Sequence, residues 1–358
     1  MAFISGTLLI DAPASALNNS GEPIPNARTA NTSSVKFIRG KDGTYPYVSG
    51  QAQRYWLRNT LEKASGIRWE SSPTYRGDKI AFTDANPILY WDDDLLGYMR
   101  APGKKDYENI KNTPELTQQE EDAKGNPRTV TRVSPFRIGT LVSIAPVNIT
   151  EDFGTMTRTE NDPVPYEHQF YRAYMHTLFA LDLAMAGTFT YSRRSGFQNL
   201  DSVRKELAEE HGLTKRDDLL AYQLPPTDRA DRVRSLLLGL GELQGGAKQA
   251  IHYTDVSPAI AIFAVVRGGS NPFNYLFAES GGQVSVKLDV LQDAIADLVK
   301  HDLLLSPVCI GWKPGFIDEQ RPSGDFGVEG AQIYIDTPRS AFAALADYIT
   351  QNPNLMDE

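Results

Sequence analysis

The chain has 358 residues, and its 41% hydrophobic content supports a packed core and excludes wholesale disorder. Its single cysteine, Cys309, excludes a disulfide framework and a thiolate metal site, so we expect a reducing, cytoplasmic setting. The longest apolar runs are too short to span a bilayer, which argues against a membrane partner.

Positive charge is concentrated in one part of the chain. The net charge of −9 alone would argue against a nucleic-acid partner. Residues 28–76, however, hold nine Lys or Arg and only three acidic residues. A basic band on an acidic body suits a local polyanion groove, because phosphates respond to charge within a Debye length. Acidic subunits with basic edges also dock on one another, so the asymmetry leaves both partners open.

The first elements in chain order are a strand over residues 3–10, a short strand over 35–39 and a helix from Ser49 to about residue 64. The apolar stripe of this helix includes Trp56. Its opposite arc carries Gln51, Arg54 and Arg58, whose spacing stacks the side chains along one line. Two neighbouring guanidinium groups suit a run of phosphates, although most surface arginine pairs belong to a solvated helix face.

Residues 66–132 are polar and irregular, which predicts an insertion that projects from the body with a small core of its own. The acidic run 92–94 lacks the spaced oxygen ligands and the mid-loop glycine of a calcium site. We therefore expect these carboxylates to be solvated.

The body resumes with a strand over residues 134–146, with Arg137 near its start. A loop over 150–158 follows and carries Phe153 and Met156. Apolar side chains on such a loop are either buried under a neighbour or used as wedges against stacked bases. Residues 167–185 read as a long apolar helix.

The second half continues with a strand over 188–191 that leads into Arg193 and Arg194, and then with helices over 201–211 and 228–240. The glycine-rich stretch 239–249 has neither the spacing nor the preceding strand of a dinucleotide fingerprint. Its glycine pair, followed by Lys248, can still let a sugar-phosphate backbone come close. Strands at 259–266, 307–312 and 332–335 and helices at 286–300 and 341–349 complete the chain, with strand 259–266 buried on both faces.

Catalytic signatures are missing from the sequence. It contains no G-x-S-x-G, no P-loop and no paired Cys/His set. We therefore predict a binding protein without a cofactor or metal.

Three segments together carry a resemblance to a known family: residues 3–12, the helix start 48–54 and the S-P-F-R strand 134–143. In this order they resemble the DevR-type CRISPR-associated proteins, the Cas-seven backbone subunits of type I interference complexes (Cascade), and most of all the I-B branch. The resemblance implies an α+β fold with a modified RRM or ferredoxin-like palm (1–65 and 133–358), a fingers insertion (66–132) and a thumb loop at about 146–167.

The resemblance also implies a function. Several copies would polymerise head to tail along one guide RNA (crRNA) beside other Cascade subunits, and the guide would pair with target DNA. Phe153, Met156 and Arg158 would form the wedge and clamp of the thumb. The remaining implied RNA-binding residues are Lys36, Arg39, Ser49, Gln51, Arg54, Arg58, Arg137, Arg193, Arg194, Gly245, Gly246, Lys248 and Gln249.

One departure and two alternatives stay open. No aromatic RNP motif lies on a strand, so base stacking on the sheet is in doubt. The chain could instead be a nucleic-acid-binding autoregulator outside any effector complex, or a RAMP-type endoribonuclease. Related type III subunits cut RNA with a loop Asp, but nothing assigns that role to Asp11.

Overall fold

The computed structural model describes residues 1–77, 80–158, 160, 162–194, 198–324 and 327–358. In these residues the strands are β1 (Ala2–Ser15), β2 (Thr32–Ser33), β3 (Phe37–Arg39), β4 (Thr44–Val48), β5 (Thr74–Arg76), β6 (Ala81–Thr83), β7 (Tyr98–Arg100), β8 (Val130–Arg132), β9 (Phe136–Ile138), β10 (Leu141–Ser143), β11 (Thr150–Met156), β12 (Val164–Asp182), β13 (Thr188–Thr190), β14 (Thr214–Arg216), β15 (Ala221–Gln223), β16 (Ile260–Arg267), β17 (Phe277–Ser280), β18 (Gln283–Val286), β19 (Val308–Trp312) and β20 (Ile333–Asp336). The helices are α1 (Gly50–Lys63), α2 (Trp91–Leu96), α3 (Lys104–Ile110), α4 (Ser202–Glu210), α5 (Pro226–Gly241), α6 (Leu288–Lys300) and α7 (Pro338–Gln351).

A large, mainly antiparallel sheet organises the fold, with the strand order β20-β19-β16-β1-β12-β10-β4-β3. Strands β2, β9 and β11 also pair with β12. The two strands at one edge, β19 and β20, run parallel. The mixed α+β class predicted from the sequence is confirmed, whereas the finer likeness to an RRM palm stays a prediction.

The middle of the sheet is formed by β16 and β1. Every residue from Ile260 to Val266 is buried, because helices cover both faces at this point. One face packs against α1, α5 and α7, and its core includes Trp56, Leu237 and Phe342. The other face packs against α6 and the β17–β18 hairpin. The predicted central strand is confirmed, as are the helices at α1, α4, α5 and α7.

The prediction of a helix over residues 167–185 is wrong, since this stretch lies largely in the 19-residue strand β12. Its buried residues alternate, with Tyr171, Ala173 and Met175 facing the core. Aromatic and β-branched residues favour a pleated, half-buried surface, and pairing with β1 over ten consecutive positions fixes the register. Gly187 ends a turn after the strand, with a φ of 69°, and does not cap a helix.

Within the described residues, Ala85, Tyr98 and Val130 of the 66–132 segment form a small buried cluster of their own, while other side chains of the segment pack elsewhere. Leu95 and Leu96 on α2 join the main core, and Ile88 packs with Phe189 and Tyr222 of the later chain. The boundaries of the predicted insertion therefore stay a prediction.

The expectation that residues 92–94 are solvated is wrong, because all three aspartates are buried. Asp94 accepts hydrogen bonds from Arg132 at 2.5 Å, from Arg232 at 2.8 Å and from the backbone N–H of Gly187 at 3.0 Å. Buried carboxylates persist when they are paired and hydrogen-bonded. The acidic run therefore anchors the 66–132 segment to the body.

Candidate nucleic-acid interface

The start of α1 is held tightly against β9. Ser49 caps the helix by accepting a hydrogen bond from the backbone N–H of Ala52. A Cβ on Gly50 would lie 2.9 Å from the carbonyl oxygen of Ile138, so only glycine lets the helix approach this closely. Gln53 is buried and donates to the carbonyl of Gly139 at 2.8 Å. The predicted contact residue Ser49 therefore builds the helix start.

Arg54 does not face open solvent as the helical spacing predicted. Its guanidinium donates to Ser134 Oγ at 3.0 Å, to the carbonyl of Phe136 at 3.2 Å and to the carbonyl of Leu96. Burial, with Arg58 nearby, lowers the pKa of Arg54 to about 10. The Arg54 side chain thus connects α1 to the end of α2 and to the start of β9.

Arg58 also has an internal partner. Its Nε lies 3.4 Å from Oδ2 of the buried Asp92, and 30% of the Arg58 side chain is exposed. The shared anion that the sequence assigned to Arg54 and Arg58 is, for Arg58, a carboxylate of the protein. The exposed face of α1 instead carries Gln51 and Tyr55.

Arg137 lies on the other side of β9 from α1. Adjacent strand residues point to opposite faces, and Phe136 and Ile138 pack into the core that α1 covers. Exposed Arg137 has its guanidinium 5.5 Å from the ring centroid of Phe3. A single groove that contains both Arg137 and the arginines of α1 is therefore not formed.

The glycine pair is a packing feature. A Cβ on Gly245 would overlap the ring of Trp56, so Gly245 lets the loop lie on α1. Gly246 has a φ of 104°, which favours glycine. The side chain of Gln249 is used internally, because its amide donates to the Gly245 carbonyl and its oxygen accepts from the Thr254 N–H at 3.1 Å.

Lys248 differs from its neighbours in this loop. It adopts a φ of 52° and is partly buried. Within the described residues no acidic group forms an ion pair with its ammonium group. Lys248 is therefore available to an external anion.

Arg193 and Arg194 follow β13 and are exposed. Arg193 lies 3.7 Å from Glu120 of the 66–132 segment, with 70% of its side chain exposed. Arg193 therefore lies against the 66–132 segment, and its ion-pair partner is not a residue of α1.

A β-hairpin replaces the loop predicted over 150–158. Strand β11 pairs with the first part of β12 from Thr150↔Phe170 to Met156↔Val164. Phe153 is 46% exposed and Met156 is 53% exposed. Neither side chain is therefore buried under other described residues of this chain. Residues 159 and 161 of the predicted thumb lie outside the described residues.

Lys36 and Arg39 line a cleft between the β3–β4 edge and the base of this hairpin, together with Tyr47, Glu151 and Gln169. The Arg39 guanidinium lies 5.5 Å from the Phe37 ring centroid. Arg158 at the hairpin end is exposed. These basic side chains surround the hairpin.

Three residues that the sequence did not single out for binding also lie near this hairpin or the glycine loop. His168 and His252 have rings 4.9 Å apart between centroids, and Tyr253 is 80% exposed at the rim of a cleft that Gly245 and Gln249 also line. His168 was not singled out because a helix was predicted over 167–185, and helical spacing gives this residue different neighbours from those it has in a strand.

The described residues offer neither a metal site nor a membrane-spanning helix. They contain no group of three or more His, Cys, Asp or Glu side chains placed to hold a metal ion. None of their helices is both long enough and apolar enough to cross a membrane.

The fold is similar to that of chains in solved CRISPR complexes. A chain of the solved "CRISPR RNA-guided surveillance complex, pre-nicking" is similar with a TM-score of 0.50 and 13% identity, over 98% of this chain and 100% of that one. A chain of a "CRISPR RNA-guided surveillance complex" gives a TM-score of 0.48 and 12% identity, over 98% and 99%.

The family follows from the sequence itself. The model of the family described as "CRISPR-associated negative auto-regulator DevR/Csa2" matches residues 4–282, and the chain belongs to this family. No curated protein matches the sequence. The family resemblance predicted from residues 3–12, 48–54 and 134–143 is confirmed.

Proposed function

We propose that this chain is a non-catalytic, guide-RNA-binding backbone subunit of a type I CRISPR effector. Several copies assemble head to tail along one crRNA, beside other subunits of the complex. The guide held in this way pairs with target DNA. Family membership supports the CRISPR context, and the hairpin formed by β11 and the start of β12 is the observation that carries the proposal.

The hairpin suits a wedge between stacked bases. Phe153 and Met156 are exposed, although folding would favour their burial, and exposed Arg158 follows two residues later. Apolar side chains inserted at a base step unstack it at a cost of a few kcal/mol, which phosphate contacts nearby offset. Each copy would press its hairpin into the RNA segment of its neighbour.

Phosphate contacts come in this proposal from basic side chains around the hairpin base and from Gln51 at the start of α1. Lys36, Arg39 and Lys248 have no acidic partner within the described residues. The first turn of α1 has no acidic side chain, so its positive end is not neutralised locally. Phosphate contacts are independent of sequence, which a protein that must accept any guide needs.

Arg54 and Gln249 are left out of the proposed contact set, since protein acceptors or donors already occupy their polar groups. Arg58, Arg137, Arg193 and Arg194 stay predictions for other parts of the RNA path.

Sedimentation in the presence of single-stranded RNA tests this function. A backbone subunit forms head-to-tail assemblies whose mass grows with RNA length, because a heterologous interface does not close. A closed dimer whose mass is independent of RNA would contradict the proposal.

The family description favours a second candidate, a nucleic-acid-binding autoregulator outside any effector complex. Such a protein binds duplex DNA, and a closed dimer is the expected form. Tighter binding to the duplex of its own promoter than to single-stranded RNA would establish this candidate over the first.

The absence of catalysis is likewise part of the proposal. Asp11 lies 2.5 Å from Arg172, so its carboxylate is engaged in an ion pair. RNA cleavage that is lost on Asp11→Asn while RNA binding persists would make the chain a ribonuclease.

A further inference from the structure

His168 and His252 come from two parts of the chain and meet at the base of the hairpin, and Lys248 lies one turn before His252, whose backbone N–H donates to the Lys248 carbonyl at 2.8 Å. His168 lies on β12 and is 5% exposed. His252 and Lys248 come from the loop that follows the glycine pair. The His252 ring stacks on Phe170 with centroids 4.8 Å apart, and the His168 ring stacks on Tyr166 at 5.7 Å.

Each of the two histidines has a nitrogen without a partner. His168 Nδ1 and His252 Nε2 are buried and accept or donate no hydrogen bond within the described residues. Buried polar atoms in folded proteins nearly always have a partner, so two such atoms in adjacent rings require an explanation. An anion that contacts both rings would provide one.

Burial and nearby positive charge favour the neutral form of both rings. Burial and the Lys248 ammonium lower the pKa of His168 and also that of His252. From β11, Asp152 opposes this shift. Its Oδ2 lies 3.6 Å from His168 Nε2, but 58% of its side chain is exposed and therefore screened. From β1, a bond with the Ala14 backbone also favours protonated His252.

We propose that Lys248, His168 and His252 form one phosphate site, which takes up a proton when a phosphodiester of single-stranded RNA binds there. The inference rests on the proposed function and adds a proton-linked contact to it. The negative phosphate offsets the repulsion from Lys248. One unpartnered ring nitrogen then accepts a proton from solvent and becomes a hydrogen-bond donor. No bond of the RNA is broken.

Calorimetric titration with unstructured single-stranded RNA, in two buffers of different ionisation enthalpy, counts the protons taken up. We expect about one proton per site near neutral pH. Because uptake of one proton changes affinity about tenfold per pH unit, we also expect affinity to rise by up to about a hundredfold from about pH 7.5 to about pH 5.5. Zero uptake with RNA bound would overturn this inference and leave the proposed function intact. No RNA binding at any pH would overturn both.

Histidine variants test whether the proton is taken up by these two rings. His252→Phe keeps the ring stack on Phe170 and removes the titrating nitrogen, and His168→Phe with His252→Phe removes both. The single variant should lose part of the proton uptake and the double variant nearly all of it. His301→Gln, which changes an exposed histidine elsewhere, should behave as wild type. Equal uptake in wild type and double variant would contradict the site.

Two further measurements keep the result decisive. Circular dichroism and thermal unfolding show whether the double variant folds. If the double variant does not fold, the proton uptake of the single variant and of the wild type shows whether the histidines form the site. Inorganic phosphate is titrated in the same way, and proton uptake with phosphate but not with RNA would contradict the RNA contact.

Discussion

Arginines in this chain occupy two environments with different consequences. One group is at most 3% exposed and donates to carbonyls or carboxylates of distant segments: Arg100, Arg132, Arg204, Arg229 and Arg232. A buried guanidinium is tolerated only when its donors are paired, so these residues stabilise the fold. The other group, which includes Arg39 and Arg158, is exposed and can serve binding. Arg54 belongs with the first group by its contacts.

Replacing Arg54 with alanine should therefore destabilise the protein. Arg54→Ala leaves the carbonyls of Leu96 and Phe136 without their donor, and we expect the free energy of unfolding to fall by about 2–4 kcal/mol. Urea denaturation measures this loss. Arg193→Ala, at an exposed ion pair, is the matched control, with an expected change within about 0.5 kcal/mol. Wild-type stability of Arg54→Ala with weaker RNA binding would restore the original helix-face prediction.

His176 should make stability depend on pH. Burial lowers its pKa to about 4 from an ordinary value of 6.5. The unfolded chain thus takes up a proton at higher pH than the folded chain. Stability conferred by neutral His176 is full above about pH 6.5 and is lost between about pH 6.5 and about pH 4, by up to about 3 kcal/mol.

His176→Gln should remove this loss while its amide keeps a bond to Thr7, whose Oγ1 lies 2.7 Å from His176 Nε2. The measurement is the difference in free energy of unfolding between wild type and variant across this pH range. Asp93, whose pKa burial and Asp92 raise to about 7, contributes with the opposite sign, but it is common to both proteins. A constant difference across the range would show that His176 does not titrate as described.

At the scale of elements, the sequence predicted those helices and strands whose signals lie within the element itself. The cap at Ser49 and the apolar stripe with Trp56 mark α1, and the continuous apolar run over 259–266 marks a central strand. Strand β12 could not be read in this way, because only its pairing with β1 separates a long apolar strand from a helix. The hydrogen-bond partners of Arg54 could not be predicted for the same reason, because they depend on where residues 92–96 and 134–136 lie in space.

Substitutions in the hairpin should weaken RNA binding without lowering the stability of the protein. Phe153→Ser with Met156→Ser changes two exposed side chains, so the thermal midpoint should stay as in wild type. If these side chains unstack bases, affinity for single-stranded RNA should fall at least tenfold, since each stacking contact contributes about 1–3 kcal/mol. Fluorescence anisotropy measures the affinity.

Leu219→Ser is the control for this pair, because Leu219 is also exposed, at 50%, but lies outside the hairpin. Equal affinities of the hairpin variant, the control and wild type would exclude a wedge role for Phe153 and Met156.

At the scale of the whole molecule, net charge is a poor guide to partners. The chain carries −9, yet its basic residues are enriched in residues 28–76, which lead from the hairpin base into α1 and beyond. Screening limits a phosphate to charges within about 8–10 Å, so under the proposed function this local enrichment, and not the net charge, sets the affinity for RNA. The sequence could predict the enrichment and the family. It could not predict that several of these arginines have protein partners, because those partners lie far away in the chain.

Copurification tests the central claim most directly, that this subunit holds guide RNA. The chain is expressed together with a CRISPR transcript, and the RNA that elutes with it is sequenced. The account predicts protected fragments that carry guide sequence whatever the spacer, because the contacts are to phosphates. Fragments without guide sequence, or protein that elutes free of RNA, would contradict it.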